Sequence, residues 1–135
     1  MSEILLNCEK LDISVRLVMQ EEQAPALCQA IIDLLPLKTL SWHAVISGDN
    51  AGFFLPLVWS GFDNPQERNT GDCFIYANGQ LVVIDYDKNS EPGKVNKFAE
   101  VHPDSLADMK RLGIAVRNGI FMGEEPYFFE LVKAG

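Results

Sequence analysis

Gly71-Asp72-Cys73-Phe74-Ile75-Tyr76-Ala77-Asn78-Gly79-Gln80-Leu81-Val82-Val83-Ile84-Asp85-Tyr86 reads as two apolar strands folded about Asn78-Gly79. Asn-Gly tolerates positive φ at both central positions of a type I′ turn, whose twist matches that of the strands it joins. Ala77 is then expected to pair with Gln80, which sets Tyr76 opposite Leu81, Ile75 opposite Val82, Phe74 opposite Val83 and Cys73 opposite Ile84. Side chains alternate across a sheet, so Phe74, Tyr76, Leu81 and Val83 share one face and Cys73, Ile75, Val82 and Ile84 the other. Both faces are apolar, and both need cover. A barrel wall provides it by filling the interior with one face and packing a helix or a partner on the other.

Before it in the chain, residues 4–7 and 12–19 read as an opening hairpin, the second strand alternating Ile13, Val15, Leu17 and Met19 with Ser14, Arg16 and Val18. Leu27, Ile31, Leu34 and Leu35 recur at helical spacing between Pro25 and Pro36, which predicts the principal helix over 24–35. Residues 37–47 read as a strand with Leu40, Trp42, Ala44 and Ile46 toward the core and Ser41, His43, Val45 and Ser47 away from it. A turn at 48–50 leads to a strand at 52–58, with Pro56 at an edge or a bulge. Residues 59–70 form a long polar loop, and 87–97 another. Beyond them come a short strand at 98–101, a small helix from Asp104 to a stop at Gly113, and closing strands at 114–117 and 127–133. The chain reads as one domain, 1–135, mainly β, with about eight strands, one longer helix and one short one. That inventory favours a closed or nearly closed antiparallel barrel.

Composition narrows the function classes. Nineteen acidic residues against eleven Lys and Arg give a formal charge of −8, which repels phosphate backbones and anionic lipid, so neither nucleic acid nor a membrane is an expected partner. No apolar run approaches the ~20 residues of a spanning helix, the N-terminus lacks secretory-signal features, and the expected location is cytoplasmic. Cys8, Cys28 and Cys73 are odd in number and lack CxxC or Cys/His spacing, which predicts buried reduced thiols. There is no metal motif, phosphate-binding glycine loop or nucleophile elbow, hence no expected metal or cofactor and no assigned reaction.

The order of elements carries a resemblance: opening hairpin, helix, a Trp42-His43-Ala44 strand ending in Ser47-Gly48, Gly71-Asp72 leading a hairpin, and a late Asn96-x-Phe98-Ala99 before the final helix and strands. It resembles a family of small bacterial proteins of unknown function with a cyclophilin-like β-barrel. The segments that mark cyclophilin prolyl isomerases, Phe-His-Arg and Gln-Gly-Gly-Asp, do not occur, so isomerase activity is not expected.

Few residues carry candidate chemistry. His43 is a mid-strand histidine beside Trp42, able to change charge near neutral pH or to hydrogen-bond structurally. Glu67, Arg68 and Asn69 form a polar cluster at the end of the long loop, where an arginine fork and an amide suit a carboxylate or amide ligand. Asp85, Tyr86 and Asp87 end the hairpin and are candidates to border a site at the barrel rim. Trp59, Phe62, Phe53 and Phe54 suit either a pocket mouth or the core. Asn96 and Asn50 enter only through the resemblance. The leading expectation is a barrel that binds a small polar organic molecule in a pocket framed by His43, Glu67, Arg68, Asn69 and Asn96. The alternative is an interaction or assembly protein, including a homo-oligomer, that uses its barrel surface. Convergence of His43 and Arg68 on one pocket favours the first, and separation favours the second.

Overall fold

Alternating apolar side chains become strands, and in the computed structural model, which describes residues 2–61, 64–76, 80–89, 93–123 and 125–134, nine strands form a single sheet. They are β1 (Glu3–Cys8), β2 (Ile13–Met19), β3 (Leu37–His43), β4 (Gly48–Phe54), β5 (Pro65–Glu67), β6 (Asp72–Tyr76), β7 (Leu81–Asn89), β8 (Lys94–Val101) and β9 (Phe128–Lys133). All pairings are antiparallel, in the order β2-β1-β9-β3-β4-β7-β6-β8. Pairing of β2 with β8, Leu17 opposite Val101 and Met19 opposite Ala99, closes these eight into a barrel. Closure leaves the ring without an exposed edge. β5 is the extra strand, laid along the first half of β8.

The central hairpin has the expected register, Tyr76 opposite Leu81 through Cys73 opposite Ile84. Its inner face, Cys73, Ile75, Val82 and Ile84, belongs to the main core. Phe74, Leu81 and Val83 on the outer face form a second cluster with Trp42 and Val95, while Tyr76 is 51% exposed. The Asn78-Gly79 turn lies outside the described residues. Its neighbour Gln80 has a left-handed backbone (φ +53°) and sits in a turn; the expected Ala77–Gln80 pairing also lies outside the described residues.

Two helices close the barrel ends. α1 (Pro25–Ile32), shorter than the predicted 24–35, starts on Pro25 and buries Leu27, Cys28 and Ile31 between the end of β2 and the start of β3. α2 (Leu106–Phe121) follows a 3-10 turn and lies across the opposite mouth, against β2, β3, β4 and β7. The predicted small helix and the predicted strand at 114–117 are thus one sixteen-residue helix. Its buried stripe, Met109, Leu112, Gly113, Val116 and Gly119, keeps helical spacing straight through the expected stop. Gly113 is present for packing: a Cβ there would overlap the Tyr86 ring.

Other boundaries also moved. Residues 48–50 open β4, with a register irregularity between Gly48 and Asn50, and the turn falls at 44–47. β7 and β8 extend into the predicted loop 87–97, and the polar loop 59–70 contains β5, whose Pro65 is tolerable because the strand is at an edge. The three cysteines are free and buried, and burial pushes the Cys28 thiol up to about 11. Among the described residues no helix is long and apolar enough to cross a membrane.

Candidate functional site

β3 decides where the candidate residues go. Ser41 and His43 are buried, and His43 pairs in register with Ala51, itself opposite Ile84 of the main core. The polar face of the strand is therefore the inner one, the reverse of the sequence expectation. Trp42 goes outward, where the second cluster covers it. Polarity misled because an interior histidine can be fully hydrogen-bonded. The His43 Nδ1 lies 2.6 Å from the Ala44 carbonyl and Nε2 2.7 Å from the Tyr86 hydroxyl. A carbonyl only accepts, so Nδ1 carries the proton and Nε2 accepts from Tyr86. Edge-on contacts with Tyr86 and with Phe121 of α2 complete the enclosure. Burial holds the His43 pKa below its usual value, against the opposing bond to Ala44, and raises that of Tyr86 to about 12.

Arg68 lies on the other side of the wall. Val83 and Asp85 face outward from β7, and the Arg68 guanidinium holds the Asp85 carboxylate through Nη2 at 2.7 Å and Nε at 3.2 Å. The guanidinium also stacks 4.8 Å from the centre of the Phe74 ring. Only 8% of the Arg68 side chain and none of the Asp85 side chain is exposed. Burial raises the Asp85 pKa, opposed by the Arg68 hydrogen bond and charge. The segment carrying Arg68 is pinned: Gly71 N–H donates to the Asp85 carbonyl (2.7 Å), Asn69 N–H to the Asp72 carboxylate (2.9 Å) and the Thr70 hydroxyl to the Asp87 carbonyl (3.0 Å). A second buried pair adjoins it, Lys97 Nζ lying 3.0 Å from Asp72 and 2.6 Å from Glu100. Burial alone would lower the Lys97 pKa, yet the bonds to Glu100 and Asp72 leave it raised.

Two depressions flank the outer face of the hairpin and share Phe74 and Tyr76. One, of about 290 Å³, is lined by Trp42, Ser47, Asn50, Arg68, Phe74 and Val83 among others. The other, of about 530 Å³, is lined by Trp59, Tyr76, Lys94 and Asn96 among others. Asn96 is buried there and donates to the Gly61 carbonyl at 2.7 Å, whereas the indole N–H of Trp59 is buried without a partner among the described residues. A larger depression of about 760 Å³ lies on the outer side of β1, β3 and β9. Its Lys10–Glu125 pair is exposed, a weak basis for a site.

Of the predicted site residues, Arg68 lines the smaller outer depression and Asn96 its neighbour, while Glu67 and Asn69 are exposed beside them. His43 is brought into neither: it is inside the barrel, separated from Arg68 by the sheet. Phe53 is core, Phe54 is partly exposed and Phe62 lies outside the described residues. Asp72 and Lys97 were missed as a buried pair. A carboxylate directly before an apolar strand was the available signal, since a buried charge needs a partner. Among the described residues no group of three His, Cys, Asp or Glu is arranged to hold a metal.

The sequence matches no protein-family model and no curated protein. Among the solved structures that match, two illustrate the shared fold. The solution structure of the hypothetical protein AF2241 from Archaeoglobus fulgidus is similar at TM-score 0.66 and 17% identity, over 98% of this chain and 95% of that one. McbB, in a structure in complex with tryptophan, is similar at TM-score 0.90 and 19% identity over 98% of this chain. The chain spans less than half of McbB, 45% of its length.

Proposed function

We propose that the chain binds a small organic molecule with a carboxylate or amide group in the outer depression, with Arg68 as the polar anchor and Trp42, Phe74 and Val83 as apolar walls. The observation that carries this reading is the held guanidinium. Asp85 and Phe74 fix Arg68 in place, yet among the described residues its Nη1 has no hydrogen-bond partner. A preorganised donor in a mostly apolar pocket loses little side-chain entropy on binding. The volume, about 290 Å³, lies just below the roughly 300–1,000 Å³ usual for such pockets and suits a one- or two-ring molecule. The tryptophan complex of a protein with the same fold supports the ligand class. Glu67, Asn69 and Asn96 border the site, and His43 acts from behind by fixing the strand that carries Trp42.

The cyclophilin-like kinship and the cytoplasmic location belong to the same reading, supported by the eight-strand closure and by three buried free thiols. No isomerase activity attaches to it, and the proposal is of binding, not of a reaction. The alternative, an assembly surface, is favoured by the separation of His43 and Arg68 across the sheet and by one further observation. Val45 and Ile46 at the edge of the depression are 79% and 88% exposed.

Calorimetry on carboxylate hits from a thermal-shift screen tests the reading. Arg68→Ala is expected to weaken binding roughly ten- to a hundredfold, the worth of a hydrogen bond to a charged group. Since that variant strands Asp85, the double variant Arg68→Ala with Asp85→Asn serves as the folded control. Unchanged affinity in the double variant would move the site elsewhere. A chain that binds nothing but sediments as an oligomer, and becomes monomeric on Ile46→Asp, would establish the assembly reading instead.

A further inference from the structure

Resting on the reading above, we infer that the depression takes an acid and not an amino acid: an apolar or aromatic carboxylate that carries no ammonium group. The charges around the cavity decide this. Among the described residues its lining contains one cation, Arg68, and no carboxylate. Asp85, which holds Arg68, is fully buried with both oxygens committed to it, and Glu67, at the border, is exposed and outside the lining. Asp72 is occupied by Lys97 and by the Asn69 N–H.

The Asn50 and Ser47 side chains are engaged with each other as well. Asn50 donates to the Ser47 carbonyl at 3.2 Å, and its own oxygen accepts from the Ser47 hydroxyl at 3.1 Å. An α-ammonium group attached beside an Arg68-bound carboxylate would stand close to a like charge, with Trp42, Phe74 and Val83 around it and no carboxylate among the described lining residues to pair with it. One ring face of Phe74 already carries the Arg68 guanidinium and is closed to a second cation. Desolvating an unpaired ammonium is costly, whereas the carboxylate gains a charge-assisted bond. Specificity of this kind arises from the group the pocket leaves unpaired.

Four compounds with the same indole body separate the terms: indole-3-propionate, its amide, tryptophan and tryptamine. Each is titrated into the full chain by calorimetry at neutral pH. The expected order is the acid first, the amide next, then tryptophan, with tryptamine weakest; the acid should exceed tryptophan by roughly tenfold or more. In Arg68→Gln the acid-to-amide ratio should fall toward one. The double variant Arg68→Gln with Asp85→Asn should show the same loss if the single variant is unstable. Tryptophan binding as tightly as the acid, or more tightly, overturns this inference and leaves the binding site standing. Failure of all four, with the protein folded by circular dichroism, overturns both. An acid-to-amide ratio unaltered in both Arg68 variants also overturns the inference, because the selectivity would then come from another cation.

Discussion

His43 shows how one residue can be singled out in a sequence and placed on the wrong side of a wall. Alternation along β3 was legible, but the sequence could not say which face looked inward, because Trp42 and Leu40 offered the greasier surface. The interior won with a histidine whose two nitrogens are both satisfied. His43→Ala should therefore destabilise the protein. It strands the Tyr86 hydroxyl, worth roughly 1–3 kcal/mol, and adds a cavity penalty. The depressed pKa has a signed consequence. The folded state favours neutral His43, so the unfolded chain binds the extra proton below about pH 6.5. This contribution is intact above pH 6.5 and is lost as pH falls toward the folded pKa, with a slope of at most about 1.4 kcal/mol per pH unit. Urea midpoints at several pH values, compared between wild type and His43→Gln, check this. Parallel curves would show that His43 does not titrate differently in the two states.

At the scale of elements, strands set by alternation were readable and those set by partners were not. β1, β2, β6 and the start of β7 carry their own pattern, and the structure keeps their spans within a residue or so. β5 is three residues of Pro65-Gln66-Glu67 with no apolar alternation, and it exists because β8 offers an edge. α2 was divided because Gly113 reads as a terminator in isolation. Its reason lies on another element, the Tyr86 ring of β7. Gly113→Ala sets two effects against each other. Alanine favours a helix interior by roughly 0.8–1 kcal/mol, while its methyl would overlap a buried ring that is hydrogen-bonded to His43 and cannot move freely. Overpacking typically costs about 1–3 kcal/mol, so a net loss of stability is expected. A higher melting temperature would show that the ring can give way at little cost.

For the whole molecule, the two-faced hairpin implied a barrel, but ring closure depends on long-range register that no local pattern encodes. One close approach tests how far the outer depression depends on that closure. At Gly52 of β4 a Cβ would overlap the carbonyl oxygen of Val82, with the Val83 Cα only 3.2 Å away. These are backbone atoms of the adjacent strand, so no side-chain rotation relieves the overlap, and Gly52→Ala must part β4 from β7. That interface stands between the site and the core: Phe53 and Val82 face inward from it, and Val83, a wall of the depression, faces outward. The expected result is a large loss of stability, with amide exchange accelerated at Phe53, Val82 and Ile84 while the β1–β2 hairpin keeps more of its protection. At temperatures where the variant stays folded, acid binding should weaken although Arg68, Asp85 and Trp42 are untouched. Wild-type exchange at Val82 with affinity fully retained would mean that the sheet absorbs the methyl without opening, and that the groove does not rely on the β4–β7 contact.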